Sequence, residues 1–175
     1  MPSERFMRKE AYIAKITHEF GDFAAQGVCM AGNAFASVLL VKGQEDFEEA
    51  ELFALRASLE HLGYAPETWA TLLTITKTGD PISPQLVRQA ISAFSPDTVL
   101  MVNDAAVASV REAFAEELAQ LKTDAEKTFS PRVLVRVCGM RMINLDNFAS
   151  ALDDLHQKQM RWAAIKQVPP LGEPY

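Results

Sequence analysis

The residues best suited to chemistry lie where short apolar runs give way to polar ones. After residues 37–41 comes Lys42-Gly43-Gln44-Glu45-Asp46, in which two carboxylates follow a glycine. A carboxylate so placed can act as a general base on water, which makes Glu45 and Asp46 the catalytic candidates. The plainer reading is that they cap the helix that follows. Gly43 permits an unusual backbone angle or a close approach to a ligand, and Gln44 beside it is a candidate contact. A second place is Thr74-Ile75-Thr76-Lys77-Thr78-Gly79-Asp80, where the Thr74 hydroxyl and the Lys77 ammonium would suit an anion. Loops gather such residues in any case. The third is Asn103-Asp104-Ala105-Ala106, where small residues let a helix start close to a sheet and its N-terminus attracts an anion. Asp104 would oppose one. The fourth is Asn144-Leu145-Asp146-Asn147-Phe148, from which Asn147 joins the ligand-binding candidates.

Several chemistries are excluded by what these places lack. The phosphate-loop pattern G-x-x-x-x-G-K is absent, and the single Gly43 cannot fill the three roles of a dinucleotide fingerprint. No Ser-His-Asp set can be assembled. His18, His61 and His156 are far apart in helix-like segments and have no metal-ligand spacing. Cys29 and Cys138 form no C-x-x-C pair and read as structural thiols, Cys138 as a small buried hydrophobe beside a strand. No metal and no cofactor is expected. The acids Glu45, Asp46, Glu48, Glu49 and Glu51 read as a solvated first helical turn that complements the helix dipole.

The elements that must position these loops follow from periodicity. Residues 5–26 are amphipathic through Phe6, Ile13, Ile16, Phe20 and Phe23, and the N-terminal helical region is bounded at 1–30. Residues 27–36, with Gly27, Gly32 and Asn33, read as loop. The continuous apolar run 37–41 predicts a strand buried on both faces. A helix is expected over 46–62, closed by Gly63. Residues 69–76 predict a second strand. Ser83 and Pro84 then open a helix to about Phe94. A third strand spans 98–102, and Asn103 or Asp104 caps a helix to about Leu121. Residues 132–137 alternate like a half-exposed strand. Cys138-Gly139 can turn it, so 140–145 either returns as a hairpin partner or continues the strand. Asp146 is expected to cap a final helix to about Lys166, followed by a Pro-rich tail at 167–175.

Strands alternating with helices predict one α/β domain over 1–175. It is a three-layer α/β/α sandwich with a short four-stranded, mainly parallel sheet. Ligands in such folds bind beyond the carboxyl ends of the strands, which is where the four loops fall. Size and composition agree: 175 residues, 49% hydrophobic and 23% charged, suit a single packed core. No stretch approaches the roughly 18 consecutive apolar residues of a membrane span. The first ten residues lack an apolar leader. A cytoplasmic protein with no membrane partner is therefore expected. A net charge of -6 opposes a phosphate backbone and disfavours nucleic acid.

The ordered set of loops resembles the uracil-DNA glycosylase superfamily, with the similarity running from about Asn33 to Lys166. The resemblance rests on V-L-L-V-K-G-Q-E-D after the first strand and on Leu73-Thr74-Ile75-Thr76-Lys77 in place of a T-N-x-x-K-like segment. It continues through F-S-P-D-T-V-L-M-V-N-D-A-A and through Phe148-Ala149-Ser150-Ala151-Leu152 in place of an H-P-S-A-L-like motif. It implies a glycosylase-like fold whose catalytic set is degenerate. Thr74 occupies the base-reading asparagine position and Phe148 that of the histidine that stabilises the departing base. The expectation is a domain without glycosylase activity that binds a small molecule or a protein, with a homodimer open to it. The alternative is a hydrolase or divergent nucleobase glycosylase in which Glu45 or Asp46 activates water. A third reading has the tail dock on a partner.

Overall fold

A computed structural model describes residues 1–171, except the side chains of Lys15 and Ile16, and in it the apolar runs become the centre of a six-stranded sheet. The strands are β1 (Met30–Gly32), β2 (Val38–Lys42), β3 (Trp69–Leu73), β4 (Thr98–Met101), β5 (Leu134–Val137) and β6 (Met140–Asn144). Their order across the sheet is β1-β3-β2-β4-β6-β5. β3, β2, β4 and β6 are mutually parallel, whereas β1 and β5 flank them as antiparallel edges. The expected four-stranded sheet is thus corrected to six strands around a parallel core of four. Met30–Gly32 falls in the 27–36 segment that Gly27, Gly32 and Asn33 mark as loop; its antiparallel ladder is supplied by the neighbouring β3. The ambiguity at 132–145 resolves as a hairpin. Cys138 and Gly139 both take positive φ, 50° and 79°, as a two-residue hairpin turn requires. Cys138 is therefore exposed at a hairpin tip, not buried.

Helices cover both faces. α1 (Glu4–Ala25), α3 (Pro84–Phe94) and α4 (Asp104–Ala113) pack on the side chains of Leu39, Val41, Val99 and Met101. α2 (Glu49–Leu62) and α7 (Leu155–Ile165) pack on Val38, Leu40, Leu100 and Val102. The alternation along β2 and β4 divides one apolar run between two cores, which is why the run is continuous in sequence. Local signals set several ends. Ser83 Oγ accepts from the Leu86 amide with Pro84 following, and Gly63 closes α2 at φ 110°.

Other boundaries moved for identifiable reasons. The helix expected to run to Leu121 breaks at Phe114, giving α4 and then α5 (Ala115–Ala119), and the polar connection after it holds α6 (Asp124–Lys127). The last helix does not start at Asp146. Asp146 and Asn147 both adopt left-handed φ, 55° and 56°. A 3₁₀ turn (Phe148–Ala151) follows, and Asp154 caps α7 by accepting from the Gln157 amide. The tail, through its described part, packs on its own domain: Val168 is buried, and its carbonyl accepts a 2.6 Å hydrogen bond from the Tyr64 hydroxyl. The end of that tail, residues 172–175, for which docking on a partner is one expectation, lies outside the described residues. Among the described residues no helix is long and apolar enough to cross a membrane.

Candidate functional site

β2 lies between β3 and β4, and the helices after β2 and β4 depart to opposite faces of the sheet. A crevice opens between two such loops at the carboxyl ends of their strands. Here the loops are tied together by Asn103. Its Nδ2 donates to the Gly43 carbonyl at 2.7 Å, and its Oδ1 accepts from the Gly43 amide at 3.0 Å. The same Oδ1 accepts from the Ala106 amide at 3.0 Å, which caps α4. Both acceptor sites of Oδ1 and one Nδ2 proton are spent on backbone, so Asn103 shapes the crevice and has one N–H left to offer a ligand.

Gly43 is required by this closeness. A Cβ there would lie 2.6 Å from Thr74 Oγ1 and 2.8 Å from Ala105 Cβ. Its close neighbour is thus protein, contrary to the expectation of a ligand. Thr74, buried behind it, is part of the wall. The residue with the left-handed backbone is Gln44, at φ 70°.

Beneath the crevice lies a pair that the sequence reading missed. Lys42 Nζ donates to Glu51 Oε1 at 2.7 Å, and each side chain is only 1% exposed. Glu45 Oε1 approaches the same ammonium at 3.7 Å from the solvent side. Phe47 lies to one side, its ring centroid 5.7 Å from Nζ. Glu51 Oε2 is buried and makes no hydrogen bond. Glu51 is therefore not part of a solvated turn. It falls on the apolar face of α2 with the buried Leu55 and Leu59, at four-residue steps. That spacing was the available signal: an acid in register with two core leucines needs a buried partner. Glu45 and Asp46 do not cap α2 either. Glu48 holds the N-cap position without a side-chain bond, and Asp46 Oδ1 accepts from the Phe47 amide.

A cavity of about 290 Å³ opens here, with Lys42, Glu51, Gln44, Glu45, Asp104 and Asn147 among its lining residues. Asn147 comes from the loop after β6. It accepts from the Asp104 amide and donates to the Asp104 carboxylate, both at 3.0 Å, clipping that loop to the start of α4. The loop itself is anchored from below: Arg132 Nη1 donates to Asp146 Oδ2 at 3.0 Å, and the buried Arg161 donates to the Asp146 carbonyl. Of the expected set, Gln44, Glu45, Asn103 and Asn147 meet at this cavity, with Gly43 and Thr74 packed behind it. Asp46 and Lys77 face a neighbouring cavity of about 460 Å³ beside β1 and β3, together with Cys29 and Thr76.

The chemistry offered is that of acceptors. Glu51, Glu45 and Asp104 line the cavity with one ammonium, Lys42, so its lining carries a formal excess of negative charge. Phe148 is buried in the α2–α7 core. Among the described residues, no group of three or more His, Cys, Asp or Glu side chains is arranged to hold a metal ion. The chain matches no protein-family model and no curated protein.

Proposed function

We propose that this domain binds a small ligand at the carboxyl ends of β2 and β4, on a frame of the uracil-DNA glycosylase type, without that superfamily's excision chemistry. The observation that carries the reading is the buried Lys42–Glu51 pair, with an unsatisfied Glu51 oxygen, under a polar cavity. Burying two charges costs several kcal/mol each before their attraction is counted, and hydrophobic replacements are often as stable or more so. A pair held at such a cost beside a crevice, with one acceptor unused, favours a role in recognition. The excess of carboxylates favours a ligand presenting N–H donors or positive charge.

The glycosylase frame draws its support from the retained element order and from four loops at the strand ends. Loss of excision chemistry draws its support from Phe148 and Thr74. A buried phenyl ring cannot donate a hydrogen bond to a departing base, and a threonine packed under Gly43 cannot read one. A specific observation also favours a second reading, that of a hydrolase. The cavity is not filled by Phe47 or Phe148, and Glu45 stands at its rim beside Lys42. In that reading Glu45 activates water, and Asp46, in the neighbouring cavity, takes no part.

One pair of measurements decides between them. The expected result is no base release from uracil- or hypoxanthine-containing single and double strands, together with a raised melting temperature from a donor-bearing compound in a panel of amines, amidines and nucleobases. That stabilisation should be reduced in Glu45→Gln. Robust release that disappears in Glu45→Gln would establish the hydrolase.

A further inference from the structure

α1 buries its C-terminal end against the domain. Phe23 is buried, and Phe20 packs on Phe94 with ring centroids 4.7 Å apart. Residues 1–14 are all exposed, and a ring contact between Tyr12 and Phe35 braces the helix where it leaves the body. The apolar stripe does not stop where the body does. Ile13 and Phe6 precede Phe20 at seven-residue steps, a spacing that keeps side chains on one face of a helix. They are 41% and 49% exposed, the first three turns of a long helix presenting core-type side chains to solvent.

Charge divides along the same helix. Residues 4–15 carry four basic and two acidic side chains, whereas residues 16–25 carry two acidic ones and no Lys or Arg. Beside Phe20 an apolar groove of about 360 Å³ is lined by Phe20, Ala24, Met30, Ala34 and Phe94. The helix therefore presents apolar side chains without a seat at one end and an apolar seat without an occupant at the other.

We propose that two copies of this chain pair through α1, antiparallel, about a two-fold axis at Ile13. Residue 13 is the midpoint of 6 and 20, so Phe6 of one copy meets the groove beside Phe20 of the other, twice. The basic half of each helix lies against the acidic half of its mate; a parallel arrangement would set like charge against like. The interface is isologous and closes on itself, so assembly stops at the dimer. Two helices of this length bury an area at the low end of stable complexes, on the order of 1,000 Å² in total. Pairing is consequently concentration-dependent and weakened by salt. The small basic excess of the overhang favours a mate of the same acidic chain over a phosphate-rich surface, which the whole molecule's charge of -6 repels.

Sedimentation velocity of the full chain from low to high micromolar concentration tests this. A monomer–dimer equilibrium is expected. Ile13→Glu, which sets two carboxylates face to face on the axis, should weaken it about tenfold or more, with circular dichroism unchanged because the side chain is exposed in the monomer. Orientation is read by cross-linking in a Cys29→Ser, Cys138→Ser background. Ile13→Cys should form an intermolecular disulfide readily and Phe6→Cys should not. A monomer at every concentration, or faster cross-linking through position 6 than position 13, would overturn the proposal. So would association of the wild type with anionic vesicles or DNA in the absence of self-association.

Discussion

Lys42 and Glu51 hold two full charges at a depth where both are 1% exposed, and they are nine residues apart on a strand and a helix of the same crossover. Removing one partner leaves the other charged and dry. Glu51→Ala and Lys42→Ala are each expected to lower the free energy of unfolding by about 3–5 kcal/mol. The double replacement Lys42→Met, Glu51→Leu should be less destabilising than either, since it leaves no orphaned charge. Urea unfolding of the three variants measures this, and near-neutral single substitutions would show that the pair is solvated. Half of this residue-level picture was legible. Gln44, Glu45, Asn103 and Asn147 each follow an apolar run, and the topology brings such loops to one cavity. In sequence Glu51 reads as solvated, because it sits beside Glu48 and Glu49 and a run of acids suggests solvent. Its four-residue register with Leu55 and Leu59 carried the opposite message.

Between elements, the face built by α3, α4 and α5 is tied by Arg88. Its guanidinium donates to Glu117 on α5 and to the Ala113 carbonyl, and it lies over the Phe114 ring at 4.9 Å from the centroid. Phe114 is where the expected single helix breaks, and one guanidinium holds both sides of the break. The hydrogen bond from Arg88 sets the Glu117 carboxyl below its ordinary value of 4.5. A carboxylate lowered in the folded state contributes stability above its unfolded pKa and loses it as pH falls through the folded one. The stability gap between wild type and Glu117→Gln is therefore expected to be constant near neutrality and to close on acidification below pH 4.5. Because both side chains are partly exposed, the gap is small, about 0.5–1 kcal/mol. Chemical denaturation at pH 7 and at pH 3.5 checks it; a gap that widens in acid would contradict the assignment.

Across the whole molecule, the chain end closes the α2–α7 face. Val168 is fully buried, Tyr64 donates to its carbonyl, and Arg141 donates to the Pro169 carbonyl at 2.9 Å. Burial raises the Tyr64 phenol above its ordinary value of 10.0, so this bond persists at neutral and mildly alkaline pH and is lost only as pH rises through the higher folded value. Truncation after Lys166 removes a buried valine and two acceptors, and should lower stability by about 2–4 kcal/mol, read as a reduced unfolding midpoint. An unchanged midpoint would show that the tail is not part of the fold in solution. At this scale the proline-rich composition was informative about conformation and uninformative about destination. Prolines forbid a helix, but which surface receives the chain depends on Tyr64 and Arg141, which are 104 and 28 residues from their acceptors.

The sequence by itself determined the α/β class of the domain, the parallel strands β2, β3 and β4, and the caps at Gly63, Ser83 and Asn103. Each of these depends on local alternation, on propensity or on a residue fixed by its own backbone, as Ser83 and Gly63 are. Tertiary structure alone decided the two edge strands, the breaks at Phe114 and Asp146, the burial of Lys42 with Glu51 and the division of the candidate residues between two cavities. These are pairings between distant segments, and a pairing energy belongs to both partners at once. The loops after β2, β4 and β6 each carry polar residues, and only the packing of Gly43 against Thr74 and Ala105, bolted by Asn103, determines which of them share a cavity.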